Sequence, residues 1–441
     1  MRTTTPRRNV ELRLGLLGVG ITAFGYVLVQ LPEKSDLPVD LWFFVSIFIG
    51  LYVLAHLSIR QFAPDADPSL LPLAAFLNGI GFVTISRLDP ELARTQVGWM
   101  AAGVGAFVAT LVVVRRIRTL ERFRYSFLLL GLLALLLPLV PGIGKTINGA
   151  RLWVGIGPMN FQPGEAAKVL LVIFFAAYLV DKRELLASGT RHLGRLVLPD
   201  PKHLAPLLLA WAVSILVMVQ QKDLGSSLLF FAVFGAMLYA ATERGAYLLT
   251  ALVLFLGGAA IAHNLFSHVQ DRVTTWLNPW DDAQGKGFQV VQSWFSFGTG
   301  GMSGTGLGRG NPQLIPNSAT DFVFSAIGEE LGLIGTVAVL AAILLFIGSG
   351  FRIALEAERP FPKLFAAGLT VIMGIQAFVI IGGVTRVIPL TGITLPFISY
   401  GGSSLVANFV VLALLLRISD DNARARSTSR RGRAGSAPAV S

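Results

Sequence analysis

Twelve apolar runs, each close to the length of a membrane crossing, constrain this chain more than any motif in it. They fall at roughly 14 to 31, 41 to 59, 69 to 86, 97 to 114, 125 to 142, 164 to 181, 205 to 220, 224 to 241, 246 to 264, 321 to 348, 364 to 388 and 403 to 417. A helix needs about 20 apolar residues to cross the hydrocarbon, because each backbone N–H and C=O must find its partner within the segment. Continuous rather than alternating runs exclude a β-barrel. With 54% hydrophobic and 14% charged residues among 441, the chain reads as an all-α, polytopic integral membrane protein of about twelve transmembrane helices. The first run is long, lacks a small-residue cleavage site and is followed at once by another, so it reads as a span and not a removable leader.

Basic residues orient the spans. Arg2, Arg7 and Arg8 precede the first; Arg115, Arg116, Arg118, Arg122 and Arg124 fill one short loop; Lys182, Arg183, Arg191 and Arg195 fill another. Arg352, Arg359, Lys363 and the tail arginines Arg424, Arg426, Arg430, Arg431 and Arg433 share that side. The positive-inside rule then makes both termini cytoplasmic. The net charge of +11 follows from topology and attraction to membrane lipids, so no nucleic-acid partner is expected. The Ser-, Gly- and Arg-rich tail, 419–441, is expected to be disordered. Cysteine is absent, which rules out disulfides and thiolate chemistry. The five histidines lack metal-ligand spacing, and no protein metal site is expected.

In this topology four polar segments, 143–163, 221–223, 265–320 and 389–402, reach the same outer face. They carry Arg151, Trp153, Gln162, Asp223, Arg309, Ser399 and Tyr400, with Glu165, Lys168, Asp321 and Ser403 at the adjoining helix ends. Asp321 stands where the long loop becomes an apolar helix, and an ionisable group at membrane depth marks function by default. The plainer reading is a helix N-cap, and the local pattern leaves both open. Glu165 and Lys168 are three apart and so share one helix face, either as a structural pair or as part of a polar cavity. Glu329 is expected to lie about 12 Å deeper than Asp321 at ~1.5 Å per residue. At least one of Glu329 and Glu330 is then expected to line a cavity or to pair across the bundle. Trp276, Trp280 and Trp294 suit an interfacial belt or a sugar platform, and Arg272, Lys286 and Arg309 in the same loop could each meet a phosphate. Gly142 to Thr146 reads as a turn and not a phosphate-binding loop, and the run from Gly298 to Gly310 as a tightly turned loop.

NGARLWVGIGPMNFQPGEAAK (148–168), QKDLGSS (221–227), IPNSATDFVFSAIGEELG (315–332) and IPLTGITLPFISYGGSSL (388–405) resemble, in order, the signatures of the SEDS family of shape, elongation, division and sporulation proteins. The likeness runs from about 69 to 417. It implies a ten-helix core over 64–418, with the large external loop 265–320 and with 1–63 adding a tail and two further helices. Gly164 and Lys222 stand where the family usually has Ser and Pro, and Arg386 adds a charge.

The resemblance implies a peptidoglycan glycosyltransferase of the bacterial cytoplasmic membrane that polymerises lipid II on the outer face. The family's essential acidic residue falls on Asp321. The other residues named above, with Glu329, are then expected to hold substrate. Arg151, Lys168 and Arg309 are candidates to meet the diphosphate, with room for a divalent cation, Mg or Mn, bridging the phosphates. A class B penicillin-binding transpeptidase is the implied partner. Modest loops and a short tail favour an elongation role over an FtsW-like division role. A lipid II flippase and a non-catalytic scaffold are the competing classes.

Overall fold

The computed structural model describes residues 6–30, 41–147, 149–157, 159–187, 191–193, 196–198 and 201–435. The helices are α1 (Pro6–Gln30), α2 (Leu41–Phe62), α3 (Leu70–Leu88), α4 (Pro90–Val113), α5 (Arg118–Arg122), α6 (Arg124–Leu136), α7 (Pro163–Asp181), α8 (Arg183–Ala187) and α9 (Pro201–Gln220). They continue as α10 (Leu224–Thr242), α11 (Gly245–Leu265), α12 (Ser267–Leu277), α13 (Phe288–Gly300), α14 (Val323–Glu356), α15 (Pro360–Val384) and α16 (Gly402–Gly435). Among the described residues, ten helices are long and apolar enough to cross a membrane: α1 to α4, α7, α10, α11, and α14 to α16. Two of the expected twelve spans, near 125 to 142 and 205 to 220, appear as the shorter apolar segments Arg124–Leu139 and Leu208–Gln220. The chain is a multi-pass membrane protein.

The core sits where α7, α15 and α16 meet; Phe174, Phe365 and Leu415 there are wholly buried. Helices α1 and α2 join it through α1 against α3 and α2 against α4. At their base Glu11 accepts from Arg8 and lies 2.6 Å from His56 Nδ1, so an acid buried in apolar surroundings is paired.

Two expectations change. The tail does not become disordered at 419, because α16 runs on to Gly435. Asp420 is fully buried, accepts from Asp65 N at 2.9 Å and pairs with Arg424 at 2.8 Å, while Asn422 donates to Ile353 O at 2.9 Å. Low hydrophobicity there reflects a polar docking surface, and only 436–441 lie outside the described residues. Second, α14 is not one helix: Gly332, at φ 64° and ψ −162°, breaks it. A Cβ at Gly332 would fall 2.3 Å from Gly304 N, so both the conformation and the close approach require glycine. The stretch after the break, 333–356, is itself long enough to span at ~1.5 Å per residue. Residues 323–331 therefore form a separate helix on the Asp321 side, with Glu329 and Glu330 in its last turn, just before the break.

Candidate active site

The polar segment 143–163 folds into a three-stranded antiparallel sheet, β1 (Gly144–Ile147), β2 (Ala150–Ile156) and β3 (Met159–Phe161). The turn expected at Gly142 to Thr146 is confined to its first residues, and Lys145 pairs with Trp153 across the sheet. The long loop contains α12 and α13 rather than irregular chain. Together with the 221–223 turn and the 391–404 loop, these pieces enclose a cavity of about 490 Å³. All four polar segments contribute to its wall.

Asp321 lines this cavity and also a second one of about 300 Å³ on its other side, where Asp271, Trp276, Lys286 and Arg386 lie. Arg272 and Gly392 border both hollows as well. A Cβ on Gly392 would come within 3.6 Å of Asp321 Oδ2 and 3.8 Å of Arg272 Nη2, so the acid and the cation flank one bare backbone position. Arg272 is fixed by donating from Nη1 to Leu390 O at 2.8 Å.

The capping reading of Asp321 does not hold. The residue before α14 is Phe322, and no side chain caps that helix. Asp321 is half-buried, and the protein packed around its carboxyl desolvates it and pushes its pKa from 3.8 up to about 6, against the opposing pull of Arg272 and a hydrogen bond from Thr320. The Arg272 guanidinium is lowered by the same burial, with Asp321 and Asp223 acting the other way. Asp223 is also raised by burial, although its carboxylate accepts from Ser226 N at 2.9 Å and caps α10.

The remaining sequence candidates divide by position. Trp153, Gln162, Glu165, Asp223, Tyr400 and Ser403 line the larger cavity. Lys168 stands one step behind, 2.7 Å from Glu165 and 3.2 Å from Gln376 Oε1. Gln376 passes the network on to Thr394 O at 2.8 Å, and Thr394 Oγ1 donates to Ser404 Oγ at 2.8 Å. Ser399 is buried behind the wall and donates to Thr320 O at 2.6 Å, so it braces the backbone beside Asp321. Arg151 donates to Val140 O at 3.2 Å at the foot of the sheet and is not part of the wall.

Arg309 and Glu329 border neither hollow. Arg309 is exposed. Glu329 accepts from Ser296 Oγ and from Asn311 N, both at 2.6 Å, and Glu330 accepts from Gly308 N and pairs with Arg87 at 3.4 Å. These acids hold the glycine-rich loop, because buried carboxylates need donors and the loop supplies backbone N–H groups. Gly301, Gly304, Gly306 and Gly308 all have positive φ, as a tightly turned loop requires. The tryptophans are not a simple belt: Trp276 Nε1 donates to Arg386 O at 3.1 Å, and the Arg386 guanidinium lies 5.1 Å from the Trp294 ring centre.

Among the described residues no three His, Cys, Asp or Glu side chains gather as ligands. Mg²⁺ can be held by one or two carboxylates when substrate phosphates complete its shell, but this donor set does not form a protein cage.

A multi-pass membrane protein with a half-buried, raised carboxyl between two polar hollows at one end of its helices is the class that fold and site define. The chain belongs to the FtsW, RodA and SpoVE family, whose model, described as cell cycle protein, matches residues 74–424. It is 46% identical over 424 residues to the peptidoglycan glycosyltransferase RodA of Mycobacterium tuberculosis, covering 94% of this chain and 90% of that one. It is 44% identical over 431 residues to the protein of the same name from Mycobacterium leprae, covering 95% and 92%. A solved chain from a study of structural coordination of polymerization and crosslinking by a peptidoglycan synthase complex superposes with a TM-score of 0.66 at 31% identity, covering 81% of this chain and 98% of that one.

Proposed function

We propose that this protein is a peptidoglycan glycosyltransferase that polymerises lipid II, with Asp321 as general base. The observation that carries the reading is the place of Asp321 where two hollows meet, with Arg272 beside it. Two lipid-linked sugars must react, so a base between two compartments can face one sugar's hydroxyl and the other's anomeric carbon. The hydroxyl gives its proton to Asp321 as its oxygen bonds to that carbon. The carbon's bond to the diphosphate breaks, and the electron pair leaves with the diphosphate. With one base and no second carboxylate acting as nucleophile, the displacement inverts the anomeric centre. A carboxyl near 6 is ionised at neutral pH yet basic enough to take the proton.

Charge on the leaving diphosphate needs fixed cations. Of the cations, Arg272, a loop candidate from the sequence, and Lys222 stand in the cavity wall, whereas Arg151, Lys168 and Arg309 do not. Glu165 with Lys168, and Ser403 with Gln162, shape the wall against which the sugars rest. The two RodA relatives, matched over nearly the whole chain, support a role in elongation, and the synthase-complex neighbour supports a crosslinking partner of the class B penicillin-binding type. The arginine-rich helix ends lie opposite Asp321, which supports a cytoplasmic-membrane orientation with both termini inside and the site outside.

Purified protein given labelled lipid II tests the reading. Wild type forms glycan and Asp321→Asn, still inserted and folded, forms none. Polymer made by the variant at the wild-type rate would refute the assignment. Lipid transport across vesicles that does not depend on Asp321, without polymer, would instead indicate a flippase.

A further inference from the structure

The opposite end of the helices holds a hollow of about 380 Å³ that the reaction does not use. Its wall includes Arg115, Arg116 and Arg118 after α4, Arg359 before α15 and Arg424 on α16, against the carboxylates Glu358 and Asp421. A topology signal accounts for arginines on this side, but it does not account for five of them gathering around one hollow against two carboxylates. Nearby, Arg124 meets Asp181 at 3.3 Å, Arg183 meets Glu243 at 3.2 Å, and Arg426 meets Glu356 at 2.8 Å. Among the described residues, Arg115, Arg116, Arg118 and Arg359 have no ion pair within 4.0 Å. Arg424 is held by Asp420 at 2.8 Å, and Asp421 accepts from Ile117 N at 3.3 Å.

Five guanidiniums against two carboxylates leave an excess of positive charge around the hollow, and an anion between them relieves the repulsion. The N-terminus of α15, just after Arg359, adds further positive potential. The neighbouring surface is apolar: Val113, two residues before Arg115, is 78% exposed, and Leu355, three before Glu358, is 75% exposed. The geometry points to a site for the headgroup of an anionic phospholipid, its phosphate among Arg116, Arg118 and Arg359 and its acyl chains along Val113 and Leu355. A free phosphate shares the anion chemistry but makes no use of the apolar flank. This site is independent of the polymerase reading.

The test uses the full chain in detergent, incubated with equal amounts of phosphatidylglycerol and phosphatidylcholine of matched acyl chains, with retained lipid read by native mass spectrometry. Wild type retains phosphatidylglycerol selectively. The variant R116Q/R118Q/R359Q binds it about a hundredfold more weakly, at roughly fivefold for each arginine. R124Q/R426Q, which removes two paired arginines from the same side, leaves retention unchanged. Equal retention of both lipids by wild type, undiminished binding by the triple variant, or an equal loss in the paired control would overturn the site. Inorganic phosphate forms a third arm, and its binding without any preference for the lipid would overturn the lipid as source. Should the triple variant fail to insert, the wild-type lipid comparison and the phosphate arm still decide.

Discussion

Asp321→Asn should remove activity and at the same time stabilise the folded protein, and the second effect is the sharper test of the electrostatics. Moving a carboxyl from 3.8 to about 6, at ~1.4 kcal/mol per tenfold step, makes its ionised form about 3 kcal/mol less favourable in the folded protein than in the unfolded chain. Because the folded pKa is the higher one, the folded state binds more proton between 3.8 and about 6. Stability from this group therefore falls as pH rises through that window and stays low above it. Asparagine carries no charge at any pH and escapes the penalty. The variant should be more stable by about 3 kcal/mol at pH 7.5 and by only about 1 kcal/mol at pH 4.5. Thermal unfolding in detergent, followed by tryptophan fluorescence at both pH values, measures this. A variant that melts at or below wild type at pH 7.5, or a gap that does not change with pH, would refute the buried-base argument.

Four other outcomes follow. The polymerisation rate of wild type should fall about tenfold per pH unit below the acid limb near 6; a rate flat to pH 4.5 would exclude Asp321 as the titrating base. Arg272→Gln should lower polymerisation about a hundredfold, as loss of one charge-stabilising donor does, and move the acid limb upward because Arg272 favours the ionised acid; an unmoved limb would separate the two groups. Gly332→Ala forces a side chain into φ 64° and against Gly304 N, and should destabilise by at least about 2 kcal/mol, read as a lower melting temperature with release of the glycine-rich loop to protease. Ser399→Ala removes the brace on Thr320 O and should cost about 1 kcal/mol, with kcat reduced and KM little changed in the lipid II assay.

Helix existence was legible because membrane insertion leaves long apolar runs, and most of the runs became helices near their expected bounds. What the runs could not reveal was how α14 ends its first part. Gly332 lies among apolar residues that read as unbroken span, and only the approach of Gly304 shows why a glycine is there. Glu329 was expected in the cavity because a buried acid needs partners, and the sequence does not show that Ser296 and the Asn311 backbone supply them from the glycine-rich loop side. Asp321 was visible as a charge at an apolar boundary, and the order of the four polar segments indicated where it faces. Arg272 stood out less, being one of several loop cations, and Gln376 is an ordinary amide in the middle of a span. Their roles come from distances across the fold, to Leu390 and to Lys168, which sequence spacing does not encode. The helical reach of α16 past 419 was hidden for the opposite reason: its contacts are polar, so composition resembled that of a disordered tail.

A carboxyl held above its ordinary pKa favours any local rearrangement that lets water reach it, so the loop bearing it has to be restrained by something other than its own charge. The restraint here comes from the backbone on both sides. Tyr400 N donates to Ala319 O at 2.8 Å, Ser399 Oγ donates to Thr320 O, and Phe322 N closes onto Asn317 O at 3.3 Å through the left-handed Asn317. Each bond fixes a residue beside Asp321 and none uses its carboxylate, which leaves that group to the hollows with Thr320 as its one hydrogen-bond donor among the described residues. A helix cap would have spent an oxygen on a backbone N–H and lowered the pKa. The absence of a cap at α14, which looks like a defect in the helix, is thus the condition for Asp321 to act as a base near neutral pH.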